Sequence, residues 1–324
     1  MSTTGSFEQH YQAATEAVCV FDRSERGKLA LTGRGAKEFL HGQLTQDILA
    51  LTPGHGAYAA FLTPKGKMLG DVRVLDTGEE ILLDTERACL QALFNMIRQY
   101  RLGYDVELHK RTLECGLLSL VGPLADELIA GAGANLGTGE HDHVQIVLGG
   151  VGVRAIRTDL GVDLLFDEDQ GEAVRAHVLA GGAAQVGEQV YETLRIERGR
   201  PRYGVDLDDS VIPQEAGLNA RAVSFTKGCY VGQETVARLH YKGKPNRHLR
   251  GLALEAPLAR GASVLLGERL VGQVSSACLS PRFGPIALAL LRRECEPGSI
   301  VLVREKEGDA QRESRARVIA LPFQ

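Results

Sequence analysis

The sequence predicts an α+β protein in two parts: a body of mixed strands and helices over residues 1–245, then a small β-barrel over residues 246–324. Three observations carry this reading. At 324 residues the chain exceeds what one typical core organises. Through residue 198, strand patterns alternate with helix patterns and hairpin turns, which favours layered α+β packing over a doubly wound parallel sheet. After Lys242-Gly243-Lys244-Pro245 only short strand signals remain, at 249–254, 263–266, 270–275, 286–291 and 299–303, divided by Gly and Pro turns as in small barrels.

Taken in order, residues 1 to about 22 are polar and helix-tolerant and read as an N-terminal arm. Residues 29–32 form a strand, and Gly33-Arg34-Gly35 turns the chain into a helix with Ala36, Phe39, Leu40 and Leu44 on one face. Strands at 58–62 and 68–75 flank the turn Thr63-Pro64-Lys65-Gly66-Lys67. Asp71 interrupts the second strand's apolar alternation; beside a hairpin such a residue is either solvent-facing or a site residue. A strand at 80–84 leads to a helix at 86–100 whose stripe of Cys89, Leu90, Leu93, Phe94 and Ile97 makes Cys89 a core residue. Strands at 106–109 and 113–121 and a helix at 124–130 follow. The run Gly131-Ala132-Gly133-Ala134-Asn135-Leu136-Gly137 comes after a helix, so its glycines read as a C-cap and loop, not a phosphate loop. His141 and His143 lack a third metal ligand and read as surface histidines. Strands at 144–148, 151–156 and 162–166 and helices at 172–180 and 187–198 complete the series. Residues 199–217 are irregular, and a long loop in a compact protein is usually functional.

The densest stretch is Lys227-Gly228-Cys229-Tyr230-Val231-Gly232-Gln233-Glu234. A helix is expected over 230–241, which puts Cys229 at its start. There the helix dipole and Lys227 favour thiolate over the free value of about 8.5. A small buried apolar cysteine is the alternative, and the glycine-flanked turn favours the reactive reading. Residues 221–250 carry seven cations against Glu234, a net +6 on a chain whose total is −4. That basic island is either a solvated face or a dock for an anion, and its overlap with the stretch favours the dock.

Lys-Gly-Cys-Tyr-x-Gly-Gln-Glu resembles the signature of the YgfZ-type folate-binding proteins, relatives of the aminomethyltransferase (T-protein) of the glycine cleavage system. Leu194-Arg195-Ile196-Glu197-Arg198-Gly199-Arg200-Pro201, Ile212-Pro213-Gln214-Glu215 and His41-Gly42-Gln43-Leu44-Thr45-Gln46-Asp47 resemble further family segments. So do the C-terminal strands with Ser280-Pro281-Arg282-Phe283-Gly284, which resemble the T-protein barrel. The resemblance implies an aminomethyltransferase-like folate-binding body and a tetrahydrofolate cofactor. It implies Glu197 and Tyr191 as pterin contacts, Lys227 and Arg238 as further cofactor contacts, and Asp71 over the folate with Cys229 as the reactive thiol. A carboxylate suits the pterin's donors and an aromatic its flat ring. Glu197 is otherwise a salt-bridge partner of Arg195 or Arg198. Paired aspartates are usual in the T-protein relatives, whereas Gly70 precedes Asp71 here.

The implied function is support of iron–sulfur cluster assembly or repair, including in tRNA-modifying enzymes, with iron–sulfur proteins as clients. A folate-dependent aminomethyl- or methyltransferase is the first alternative, and an RNA-binding protein using residues 221–250 the second. Six scattered cysteines with no Cys-x-x-Cys argue against a zinc site and a disulfide framework, which implies a reducing, cytoplasmic setting. No run approaches the ~20 apolar residues of a spanning helix, so no membrane partner is expected.

Overall fold

The computed structural model describes residues 6–131, 135–307 and 310–324. The chain divides into two compact units that interleave in sequence. The first takes the described part of Met1–Leu62, then Leu69–Val190 and Arg221–Val231; the second takes Thr63–Met68, Tyr191–Ala220 and the described part of Gly232–Gln324.

Two sheets build the first unit. One has five strands in the order Gly56–Leu62, Met68–Asp76, Ile81–Thr85, Gly27–Thr32, Glu107–Lys110. Helix Arg87–Tyr100 packs against strand Gly27–Thr32, burying Cys89, Leu93, Met96 and Ile97 on one stripe as its periodicity requires. The other has six strands in the order Ala184–Gln185, Cys19–Asp22, Cys115–Val121, Gly161–Asp167, Val151–Arg157, His143–Leu148. Its Leu118, Leu120, Val153, Val162 and Leu164 form a core with Val174 and Val178 of helix Gly171–Ala180. The α+β class is as expected.

The N-terminal stretch is not an arm. Helix Phe7–Glu16 starts at a capping box between Ser6 and Gln9, its Tyr11 and Ala14 are buried, and Cys19–Asp22 is an internal strand of the six-stranded sheet. Two buried positions in a polar helix and a four-residue strand are too brief a pattern to stand out. Of the glycine run after helix Ala125–Ala130, residues 132–134 lie outside the described residues, and Gly131 is the helix C-cap.

The two sheets of this unit face each other through Ala30, Leu75, Leu82 and Ile156, with a buried ion-pair chain beside them. Arg73 Nη2 lies 2.7 Å from Asp84 of its own sheet, and its Nη1 lies 2.6 Å from Asp163 of the other. Ser119 donates to the second oxygen of Asp163 at 2.6 Å, and Arg26 Nε donates to Asp84 at 2.7 Å.

The second unit is organised on a closed barrel of six strands in the order Arg247–Leu254, Gly284–Arg292, Arg269–Ser280, Ser263–Leu266, Ile300–Glu307, Ala310–Ile319. The sequence pattern shows five of these. The sixth, Ala310–Ile319, carries Arg312, Glu313, Arg315 and Arg317, and among its described side chains Ser314, Ala316 and Val318 are buried, so its alternation is masked by charge. Helix Glu188–Glu197 is fastened by the buried Arg195. Its guanidinium donates to Asp206 at 2.7 Å and to Ser276 of the barrel at 2.9 Å, and Ser276 also donates to Asp206.

Removing one member of a buried ion pair strands its partner without solvent. Arg73→Ala is therefore expected to lower stability by about 3–5 kcal/mol in urea denaturation, because Asp163 keeps only a serine hydroxyl.

Candidate functional site

In the first unit the site residues gather on strand Met68–Asp76, where alternation puts Asp71, Arg73 and Leu75 on one face. Asp71 is 5% exposed, which removes the solvent-facing reading. Its Oδ2 accepts a hydrogen bond from the Tyr58 hydroxyl at 2.8 Å, and its backbone carbonyl accepts one from Thr85. Burial raises the Asp71 carboxyl to about 6, while the Tyr58 hydrogen bond and the charge of Arg26 pull the other way. Burial also raises the Tyr58 phenol well above its ordinary value, with the charge of Asp71 adding to it. The Arg221 guanidinium lies 5.0 Å from the Tyr58 ring centroid and pairs with Glu140.

His141 and His143 are not surface histidines, being 8% and 5% exposed. His141 follows Glu140 in a left-handed conformation with φ 75°, and its side chain is buried. Burial, then the charges of Arg73 and Arg221, push it down to about 3, and burial, then Arg154, pushes His143 down to about 4. Both are held neutral. The Tyr58 and His141 rings lie 6.5 Å apart at 40°. No group of three or more His, Cys, Asp or Glu suited to a metal ion occurs among the described residues.

The space before Asp71 is filled. A Cβ at Gly70 would stand 2.6 Å from the Phe61 ring and 2.7 Å from Cys89 Sγ, so the backbone there admits no second carboxylate.

The signature stretch differs from its expectation at one end. The helix runs Gln233–Lys242, not from 230, because Gly232 caps it with φ 83°, a left-handed conformation costly for other residues. Cys229 thus lies in the preceding loop, away from the helix start. It is the exposed one of the six cysteines; Cys19, Cys89 and Cys295 are buried and Cys115 and Cys278 intermediate. Lys227 is 8% exposed, and its ammonium donates to the carbonyls of His41, Leu44 and Gln46, the latter two at 2.7 and 3.0 Å. Its three donors are thereby committed to the chain that leaves helix Ala36–Gln43. Among the described residues no hydrogen bond or ion pair joins Asp71 to Lys227 or Cys229.

In the second unit, Glu197 is 8% exposed and accepts a hydrogen bond from Ser280 at 2.6 Å, where an ion pair with Arg195 or Arg198 was the alternative. Tyr191 is partly buried on the same helix, and Arg238 is exposed. The basic island does not act as one body: Arg221 is paired with Glu140, Lys227 serves carbonyls and Arg247 is paired with Glu215, while Arg238, Lys242 and Lys244 are exposed. Arg247 lines a groove of about 1320 Å³ with Arg260, Arg269, Arg292 and Arg293, of which Arg269 is paired with Glu294. Sequence reasoning missed Tyr58 and His141. A tyrosine in an apolar strand and a histidine in a polar turn carry no local signal of what they meet.

A fold of this kind, with a folded body and a six-stranded closing barrel, defines an aminomethyltransferase-like class. The chain matches the GCVT N-terminal domain over residues 2–227 and the glycine cleavage T-protein C-terminal barrel domain over residues 247–324, and it belongs to that family. It is 30% identical over 322 residues to an aminomethyltransferase of Rubrobacter xylanophilus, covering 97% of this chain and 85% of that one. It is also 30% identical over 278 residues to a chloroplastic Arabidopsis thaliana protein named as a transferase; the match takes 83% of this chain and spans 64% of that protein. The crystal structure of the glycine cleavage system aminomethyltransferase T from Bartonella henselae superposes with a TM-score of 0.87 at 22% identity, covering 98% of this chain and 90% of that one. No described helix is long and apolar enough to cross a membrane.

The fold holds the Asp71 carboxyl at about 6 against an ordinary 3.8, so it favours the protonated form. The associated stability is fully present below pH 4 and is lost as pH rises through 6. Asp71→Asn, neutral throughout, is expected to gain up to roughly 3 kcal/mol over wild type at pH 7. Thermal or urea melts between pH 4 and pH 8 check that the gain fades on acidification.

Proposed function

We propose that this chain binds a tetrahydrofolate and acts as a folate-dependent one-carbon transferase, with Asp71 as the residue that exchanges a proton with the bound molecule. The observation that carries the reading is the Asp71–Tyr58 pair: a desolvated carboxyl at about 6, with one oxygen held by a phenol and the other accepting no hydrogen bond among the described residues. A carboxyl tuned near neutrality suits general acid–base work. Buried donors and acceptors around it suit a nitrogen-rich heterocycle, and the family membership supports the same cofactor. The folate, when bound, supplies nitrogens that carry the one-carbon unit. Asp71 accepts a proton, Tyr58 holds Asp71, and burial of the carboxyl keeps bulk water from it. Tyr191, Glu197 and Arg238 stand as proposed cofactor contacts by resemblance; Glu197 accepts a hydrogen bond from Ser280.

A second reading is favoured by one observation, the exposure of the Cys229 thiol in its loop. An accessible thiol next to a stapled Lys227 suits exchange with a client, which is the iron–sulfur maintenance role. One thiol does not hold a cluster alone, so the client would complete it. No observation favours the RNA reading, and three of the island's seven cations, Arg221, Lys227 and Arg247, are already engaged.

Calorimetric titration of tetrahydrofolate tests the two. Wild type is expected to bind in the micromolar range, with Asp71→Ala and Glu197→Ala each weakening binding at least tenfold, about 1.4 kcal/mol or more. Cys229→Ala is expected to leave binding intact. Absence of binding by wild type sinks the folate reading; intact one-carbon transfer with lost cellular iron–sulfur enzyme activity in Cys229→Ala would favour the second.

A further inference from the structure

We propose that Tyr58 is the residue that sets the charge of Asp71, a positioning residue that keeps this carboxyl usable as a proton acceptor at neutral pH. The proposal takes its chemistry from the folate reading, but its test stands without it.

Three contacts fix the phenol. Its hydroxyl donates to Asp71 at 2.8 Å, Arg221 stands 5.0 Å from its ring centroid, and the His141 ring lies 6.5 Å away. Of the two groups beside its ring only Arg221 is charged, because burial keeps His141 neutral. His141 is costly: it is a non-glycine residue with φ 75°, and neither ring nitrogen has a hydrogen-bond partner. Such a cost persists where the surroundings require the group. Here a neutral ring closes the side of Tyr58 without adding a second cation beside the carboxyl.

The charged and titratable groups around Asp71 come from several elements. Tyr58 is on strand Gly56–Leu62, Asp84 on Ile81–Thr85, Glu86 precedes helix Arg87–Tyr100, Cys89 is on that helix, and Arg26 precedes strand Gly27–Thr32. Arg26 is spent on Asp84 and Glu86, and Arg73 on Asp84 and Asp163. Asp71 is therefore left with a phenol where its neighbours have guanidiniums.

The difference matters chemically. Despite burial, Arg26 and Arg73 hold Asp84 far below the usual carboxylate range, and a carboxylate so held is a poor proton acceptor. Without the Tyr58 donor, burial would push the Asp71 carboxyl further up and favour its protonated form more strongly. A neutral donor lies between these limits. A protonated amine of the bound molecule then gives its proton to Asp71 Oδ1: the N–H bond breaks, its electron pair stays on nitrogen, an O–H bond forms, and Tyr58 keeps its own proton.

The test is carbon-13 NMR of protein labelled at the aspartate carboxyls, with the Asp71 resonance assigned by its loss in Asp71→Asn. Tyr58→Phe is expected to move the Asp71 midpoint up by about one pH unit. Replacement of the tyrosines by 3-fluorotyrosine, a stronger donor, is expected to move it down. An unchanged midpoint overturns the proposal. If Tyr58→Phe does not fold, the fluorotyrosine protein decides alone, by a downward shift or none. Loss of packing without the hydrogen bond would not give opposite shifts in the two proteins. Failure of wild type to bind tetrahydrofolate would overturn the folate reading and leave this titration standing.

Discussion

The first unit depends on one guanidinium shared between two sheets. Arg73 reaches Asp84 on its own sheet and Asp163 on the facing one, at 2.7 and 2.6 Å. All three side chains are buried, so separating them would leave charges in a medium that cannot solvate them. Apolar contacts through Leu75 and Ile156 bring the sheets together; the ion pairs fix which residue faces which. Burial of this kind adds little net stability compared with an apolar core, and its effect lies in register. A slip by one residue on strand Met68–Asp76 would turn both Arg73 and Asp71 to the opposite face.

Asp71 inherits its chemistry from that arrangement. Three buried aspartates, Asp71, Asp84 and Asp163, share this region with Arg26 and Arg73. The two guanidiniums are taken by Asp84, Asp163 and Glu86. Asp84 is driven well below the usual range and Asp71 is raised to about 6. Neighbouring carboxyls pushed apart in this way are the pattern that the proposed function draws on, with the held one structural and the raised one free to exchange a proton.

The sequence showed most of the fold because most of it follows period-two and period-3.6 patterns that need no tertiary information. Strand Met68–Asp76, helix Arg87–Tyr100 and the early barrel strands follow such patterns closely. What was hidden is what depends on distant partners. The strand Ala310–Ile319 is charged on its outer face and is held by pairing on both sides. The start of helix Gln233–Lys242 is set by the left-handed Gly232, which an apolar pattern beginning at Tyr230 obscures. Asp71 was legible as an interruption, but its partner Tyr58 was not, since only the folded sheet brings them within 2.8 Å. Lys227 stands out in the sequence as an expected cofactor contact, yet a lysine that binds carbonyls and one that binds an anion look the same there.

Gly70 shows how far the site has settled on a single carboxyl. The space that a side chain would need there is occupied by the Phe61 ring and Cys89 Sγ, both buried in the unit's core. Restoring a second aspartate would require repacking an aromatic ring and a helix face, at a cost typical of overpacking, about 1–3 kcal/mol. It would also place a second negative charge beside a carboxyl that burial already disfavours in ionised form. Core packing and electrostatics therefore oppose the same substitution. A carboxyl that cannot rely on a second one has to take its tuning from a neutral donor, and the Tyr58 hydroxyl is the group this strand pair supplies.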